Sequence, residues 1–232
     1  MIKAVSPIAI PALMTAEEMA AREADLAERE RRREAACRAS NWDSLVRQRG
    51  ERYADCRLSN FVQESDGQAG AVASLQNYCL DIAERIADGE GLILFGPKGT
   101  GKDHLMMAVA RVAIGSGKSV LWQNGMDLFG DIRDAMDKGD AERSLVNRLV
   151  APDVLYLSDP LPPFGTLTDF QAGMLFRILD GRYSRRKPTW ATVNVVSGKQ
   201  LEERMGPQNA DRLRDESLAI CCDWPSHRKA KS

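Results

Sequence analysis

The stretch Leu92-Ile93-Leu94-Phe95-Gly96-Pro97-Lys98-Gly99-Thr100-Gly101-Lys102-Asp103 decides the fold. Its first four residues are a short apolar run of the kind that forms a strand buried on both faces. Gly96 to Lys102 then read GxxxxGK, and a helical pattern follows over about 101–115, closed by Gly115-Ser116-Gly117. A glycine-rich turn between strand and helix lets backbone N–H groups point inward around phosphate oxygens, and the helix N-terminus adds its dipole. Lys102 is placed to reach the β- and γ-phosphates of a nucleotide. Gly96, Pro97, Lys98, Gly99, Thr100, Gly101, Lys102 and Asp103 are therefore the candidate phosphate loop.

The same alternation continues outward. Apolar runs at 119–123, 154–157, 189–195 and 218–222 predict four more strands. Between them lie helical patterns: Leu128, Phe129, Ile132 and Met136; then Leu145, Val146 and Leu149; then a helix over about 168–184 behind the loop DPLPPFG. Upstream, Val72, Leu75, Cys79, Ile82 and Ile86 predict one helix over about 68–87, ended by Asp88-Gly89. Short strands separated by helices predict an α/β domain whose parallel sheet is covered on both faces. Such sheets bind ligands beyond the C-terminal ends of their strands.

The phosphate loop carries one anomaly, and the third strand carries another. A hydroxyl that ligates magnesium ordinarily follows the lysine, but here Asp103 does. The third strand ought to end in a metal-binding aspartate followed by a second acid, but it ends Ser158-Asp159-Pro160. Read in register, hydroxyl and carboxylate have exchanged places. In P-loop folds these two strand ends are neighbours around one metal, so Asp103 and Ser158 can offer the same pair of hard oxygens from opposite sides. Asp159 then takes the position of the acid that orients the attacking water. Two other readings stay open: loss of metal binding altogether, or Asp159 itself as the metal ligand with no base left.

Composition bounds the rest. The chain has 232 residues, 44% of them apolar and 28% charged, enough for one sizeable domain with an appendage and too apolar for wholesale disorder. Lys plus Arg (32) nearly balances Asp plus Glu (33), so net charge does not signal nucleic acid. No apolar run approaches the roughly 20 residues that span a bilayer. Pro7 and Pro11 interrupt the first apolar stretch, which argues against a signal peptide. Five cysteines without a CxxC spacing read as reduced thiols in a cytoplasmic protein.

Residues 1–14 read as an untethered arm. Thr15 and Glu18 form a capping-box pattern ahead of an Ala-, Glu- and Arg-rich helix reaching about Cys37. Glu18/Arg22, Asp25/Arg29, Glu28/Arg32 and Glu34/Arg38 are i,i+4 pairs, and Met19 and Leu26 are its only large apolar residues. That pattern fits a solvated helix and an arm that docks on a partner equally well. Residues 41–61 read as a lead-in to the core, which sets an expected division into a helical arm, 1–50, and a core, 51–232.

Six stretches occur in order: RYADCRLSNF (52–61), GPKGTGKDHL (96–105), Arg182-Tyr183 at the end of a long helix, TWATVNV (189–195), DRLRD (211–215) and WPSHR (224–228). With them the chain resembles the DnaC-type replicative helicase loaders of the AAA+ class over residues 52–228, and the IstB-type transposition helpers share the pattern. The resemblance implies a P-loop AAA+ (ASCE) core with a five-stranded parallel sheet and no C-terminal helical lid, using ATP/ADP and Mg2+. It implies that the fourth strand lies between the first and third, with Asn194 as the sensor-1 residue beside the γ-phosphate. Arg212 is similar to the arginine finger that enters a neighbouring subunit's site, with Arg214 as its competitor and a surface ion pair as the alternative. Arg228 is similar to the sensor-2 arginine, and Tyr53 falls where the family approaches the adenine.

The resemblance also implies partners: a replicative DnaB-type ring helicase, single-stranded DNA, and further copies of this chain in a spiral. Arg133, Lys138 and Arg143 are the candidate DNA contacts, with Arg148 and the run Arg182, Arg185, Arg186 and Lys187 as additional basic groups. Acidic neighbours from Asp131 to Glu142 fit a plain solvated helix as well. His104 and His227 read as ordinary structural residues. Three functions follow for comparison: an ATP-dependent helicase loader, a transposition or phage-encoded regulator assembling on DNA, and an adaptor that binds ATP without hydrolysing it.

Overall fold

A computed structural model describes residues 15–138 and 142–227, apart from the side chains of Met126 and Glu142. The chain divides into two compact units, residues 1–39 and 40–232.

One helix, α1 (Ala16–Arg49), runs through the first unit and into the second. It starts where the capping box placed it: Thr15 N donates to Glu18 Oε2 at 2.8 Å and Glu18 N donates to Thr15 Oγ1 at 3.2 Å. Arg29–Asp25, Arg32–Glu28 and Arg38–Glu34 pair along its exposed flank, each worth a few tenths of a kcal/mol in water. The helix does not stop near Cys37. Leu45 and Val46 are buried in the second unit and Trp42 lies under the Arg111 guanidinium, 4.7 Å away. Residues 40–50 thus pack with the core, and the boundary falls earlier than the expected residue 50.

The second unit is a sheet of five parallel strands: β1 (Gly91–Phe95), β2 (Val120–Asn124), β3 (Val154–Ser158), β4 (Thr189–Val193) and β5 (Ser217–Cys221). Their order is β2-β3-β4-β1-β5, so β4 lies between β1 and β3. The strands alternate across two cores. Leu92, Leu94, Val154, Tyr156 and Trp190 face one; Ile93, Leu155, Leu157, Ala191 and Val193 face the other. Each fully buried large apolar side chain contributes about 1.5–3 kcal/mol by leaving water.

The first core is covered by α2 (Asp66–Leu80), α3 (Ile82–Asp88) and α4 (Lys102–Gly115). The single helix expected over 68–87 is two, because Asp81 leaves helical geometry (φ −117°, ψ 32°) and its carbonyl accepts from Glu84 and Arg85 to start α3. The second core is covered by α5 (Gly125–Asp137), α6 (Glu142–Val150), α7 (Asp169–Tyr183), α8 (Gly198–Met205) and α9 (Pro207–Arg214). The apolar periodicity did not announce α8 and α9. They are short and polar, and their signals are the Ser197 cap and Pro207 at the first turn.

Candidate functional site: a phosphate loop with a saturated carboxylate

The loop between β1 and α4 holds its shape through backbone that only glycine accommodates. Gly96 has φ +142°, and a Cβ there would meet the Cys222 carbonyl oxygen at 2.3 Å. Gly101, at φ +86°, ends the loop directly against the Phe61 ring. The chain's last described residues brace the loop from outside: Trp224 Nε1 donates to Thr100 O at 2.7 Å and His227 N donates to Gly99 O at 2.9 Å. This gives the WPSH segment a local role that its sequence did not disclose.

Lys102 is buried and donates from Nζ to Gly96 O (2.9 Å), Pro97 O (2.7 Å) and Asn194 Oδ1 (3.0 Å). Asn194 stands just past the end of β4 and donates from Nδ2 to Asp159 Oδ1 at 2.5 Å. Asp159, just past β3, has φ +50°, an uncommon conformation for a non-glycine residue. Lys102, Asn194 and Asp159 are thereby one connected group, assembled because β4 is flanked by β1 and β3. Burial, and then the charge of Asp103, push the Asp159 carboxyl above its ordinary value.

Asp103 lies in the first turn of α4. Its Oδ1 accepts from Tyr156 OH (2.6 Å), Ser158 Oγ (3.0 Å) and Thr192 Oγ1 (3.1 Å). Its Oδ2 lies 2.7 Å from Arg49 Nη2. Burial acts to raise the Asp103 carboxyl, but Arg49 and the three hydroxyls together hold it below the ordinary carboxylate value. The donor chemistry fits magnesium. The Asp103 carboxylate and the Ser158 hydroxyl are hard oxygens of the kind that ion prefers, and they lie next to each other, 3.0 Å apart at Oδ1 and Oγ. Arg49 was not singled out in the sequence, where it is one of many arginines.

Lys102, Asp103, Asp159, Thr192 and Asn194 line one cleft of about 640 Å³, within the range of nucleotide-sized ligand sites. Lys98, Gly99, Gly101, Asp159 and Asn194 form its polar floor, while Tyr53, Phe61, His104 and His227 form a ring-bearing flank. His104 Nε2 is 3.1 Å from Arg57 O, and Phe61 meets both histidine rings edge-on. Tyr53 lies beneath the Arg49 guanidinium at 4.1 Å.

Two sets of expected residues lie elsewhere. Arg212 is outside the cleft and lines a second hollow beside Gly91, Thr189 and Ser217, the first residues of β1, β4 and β5. It pairs with Asp180 (3.1 Å) and Asp211 (3.7 Å) and stacks on Tyr183. Arg133, Lys138 and Arg143 are exposed on or beside α5 and α6, with Arg133 over the Phe170 ring. Arg228 lies outside the described residues. One expectation is overturned. Arg182 is not part of a basic surface, because it is fully buried and donates to the carbonyls of Leu149, Val150, Pro152, Asp153 and Pro188.

A parallel sheet in this order, with a glycine-rich phosphate loop after β1 and polar residues closing β3 and β4, defines a P-loop nucleotide-binding protein of the AAA+ class. The sequence model of the IstB-like ATP binding proteins matches residues 14–203, and the chain belongs to that family. It is 28% identical over 180 residues to the replicative helicase loader DnaC of Escherichia coli K12, covering 76% of this chain and 70% of that one. It is 33% identical over 101 residues to a putative insertion sequence ATP-binding protein of Sinorhizobium fredii, covering 44% of this chain and 33% of that one. Its fold is similar to the crystal structure of the DnaC helicase loader (TM-score 0.66, 22% identity, 74% of this chain and 99% of that one). It is also similar to AMPPCP-bound DnaA from Aquifex aeolicus (TM-score 0.58, 19% identity, 71% and 50%). No helix among the described residues is long and apolar enough to cross a membrane.

Proposed function

We propose that this chain is an ATP-dependent loader that binds a replicative ring helicase and delivers it to single-stranded DNA, acting in the cytoplasm as one of several copies in a spiral. The observation that carries this reading is the extent of the likeness to DnaC, which runs through three quarters of the chain. A DNA-assembly regulator of the insertion-sequence type is the second reading, favoured by the shorter but more identical match to the Sinorhizobium protein.

In the proposed mechanism the loop N–H groups and Lys102 hold the phosphates. Lys102 exchanges the loop carbonyls for phosphate oxygens. Asn194 and Asp159 position the attacking water, and Arg212 of a neighbouring copy meets the charge on the transferring group. Asp103 and Ser158 would hold Mg2+, which when bound supplies charge neutralisation across the phosphates. Asp159 serves as base only when ionised, so its raised carboxyl makes hydrolysis fall on the acid side of neutrality sooner than an ordinary carboxylate would. Turnover by an isolated copy is slow, because the finger comes from outside. Tyr53 borders the base, and Arg133, Lys138 and Arg143 supply phosphate contacts to DNA without reading sequence.

The helicase-binding part is the N-terminal arm, read as 1–50 in the sequence and taken as residues 1–39, since Leu45, Val46 and Arg49 pack with the core. Its α1 segment before residue 40 is charged and exposed, with Met19 and Leu26 open to solvent. The test is capture of the cognate replicative helicase by the full chain and by a form lacking residues 1–39, alongside ATP affinity. Loss of capture with ATP affinity kept is the expected result. Full capture by the shortened form overturns the arm assignment, and no capture by either form favours the insertion-sequence reading.

A further inference from the structure

One oxygen of the Asp103 carboxylate is filled by hydroxyl donors, and a cation already stands at the other. An ionised carboxylate offers about four lone-pair positions. Tyr156, Ser158 and Thr192 crowd Oδ1, and Arg49 lies against Oδ2 at 2.7 Å. A divalent ion therefore has only the Oδ2 side of Asp103 to approach, and the Arg49 guanidinium stands there. The three hydroxyls belong to β3 and β4 at the centre of the sheet and are buried. They cannot withdraw without moving paired strands. Arg49 differs from them. It sits in the last turn of α1 on a long unbranched stem, with its guanidinium over the rings of Tyr53 (4.1 Å) and Trp122 (5.3 Å). Its Nε is buried without a hydrogen-bond partner among the described residues, so its present seat does not satisfy it fully.

We infer that Arg49 is an internal counter-cation standing where a divalent ion would ligate Asp103, and that binding of a magnesium–nucleotide complex displaces it. This rests on the reading of the cleft as a nucleotide site with Asp103 and Ser158 as metal ligands. The physical logic is an exchange of cations. Removing Arg49 alone leaves the Asp103 charge held by three hydroxyl donors but without a counter-cation. Removing it as a divalent ion arrives keeps the charge balanced. The exchange also explains how a loop that carries aspartate in place of a hydroxyl tolerates phosphates, since the Arg49–Asp103 pair is neutral until the metal takes over.

The signature is a pair of opposite effects. In Arg49→Gln, Asp103 is a negative charge with no counter-cation beside the phosphates. Metal-free ATP should therefore bind about tenfold more weakly than to the natural chain, while the Mg2+ concentration giving half-maximal ATP binding should fall about tenfold. Calorimetric titration of ATP into the full chain, in EDTA and across a Mg2+ series, reads both. Arg49→Lys, which keeps the charge, should lie between the two. Arg49→Gln weakening both conditions alike, or changing neither, overturns the inference. Emission of Trp122 gives a second reading without touching Arg49. Mg2+ and ATP together, but not ATP in EDTA, should change a signal that Trp122→Phe removes. If calorimetry shows Mg2+–ATP bound and that signal stays still, Arg49 has not moved and the inference fails. A natural chain that binds ATP in neither condition removes the nucleotide-site reading itself, a result distinct from the others.

Discussion

Where β3 and β4 end, Arg49 lies against a carboxylate; where β3 and β4 begin, Arg182 lies against five backbone carbonyls. Both side chains are sheltered, but their acceptors differ in kind. The acceptors of Arg182 are parts of the chain that cannot be replaced by a ligand. They gather the end of α6, the approach to β3 and the approach to β4 around one planar group. Burial lowers that guanidinium to about 9, opposed by the charge of Asp153, so it remains charged at neutral pH. Arg49 faces an ionised group that other cations can also satisfy, and that group, Asp103, borders the cleft. The same residue type is thus a fastening at one end of the sheet and an exchangeable cation at the other. The acceptor decides which, more than the degree of burial.

Arg212 stands at the fastened end yet is proposed to act on phosphate, and it is the sharpest way to break the contrast. Arg212→Ala should leave ATP affinity unchanged and lower hydrolysis by the assembly about 10³-fold. Mixing it with Lys102→Ala copies should restore part of the rate, since each copy supplies what the other lacks. If no mixing ratio restores activity while sedimentation shows assembly, Arg212 is only the partner of Asp180 and Asp211, and that end of the sheet is wholly structural.

The next largest effect concerns stability. Arg182→Ala orphans buried carbonyls and opens a cavity, and should cost about 3 kcal/mol or more in urea unfolding. Arg49→Gln should cost markedly less, because Asp103 keeps three hydroxyl donors. Equal losses would erase the distinction between fastening and exchangeable cation.

The smallest effect tests the metal pair. Asp103→Thr with Ser158→Asp restores the common order of hydroxyl and carboxylate. Magnesium–ATP binding by the double variant should exceed the sum of the singles by about 1 kcal/mol, the usual coupling of residues that share a partner. Additive singles would mean that Asp103 and Ser158 do not share an ion, leaving Asp159 as the candidate ligand.

Sequence alone determined the phosphate loop, the five parallel strands, and the presence of aspartate after the loop lysine and serine at the end of the third strand. Each of these is written locally: glycine spacing, apolar runs bounded by turns, and the residue next to a lysine or at a strand end. Asp159 was singled out from its place at the end of the third strand and Asn194 from the family resemblance, and the structure brings the two together in the cleft. The tertiary structure alone decided the partners of the arginines. Arg49 and Asp103 are far apart in the chain, and they meet because Leu45 and Val46 bury the end of α1 against the core. Arg182 reads as one of a surface run with Arg185, Arg186 and Lys187, yet its position on α7 turns it inward beneath β4. Composition and period are properties of neighbouring residues, whereas a charge's partner is set by which backbone and side chains the packing brings beside it.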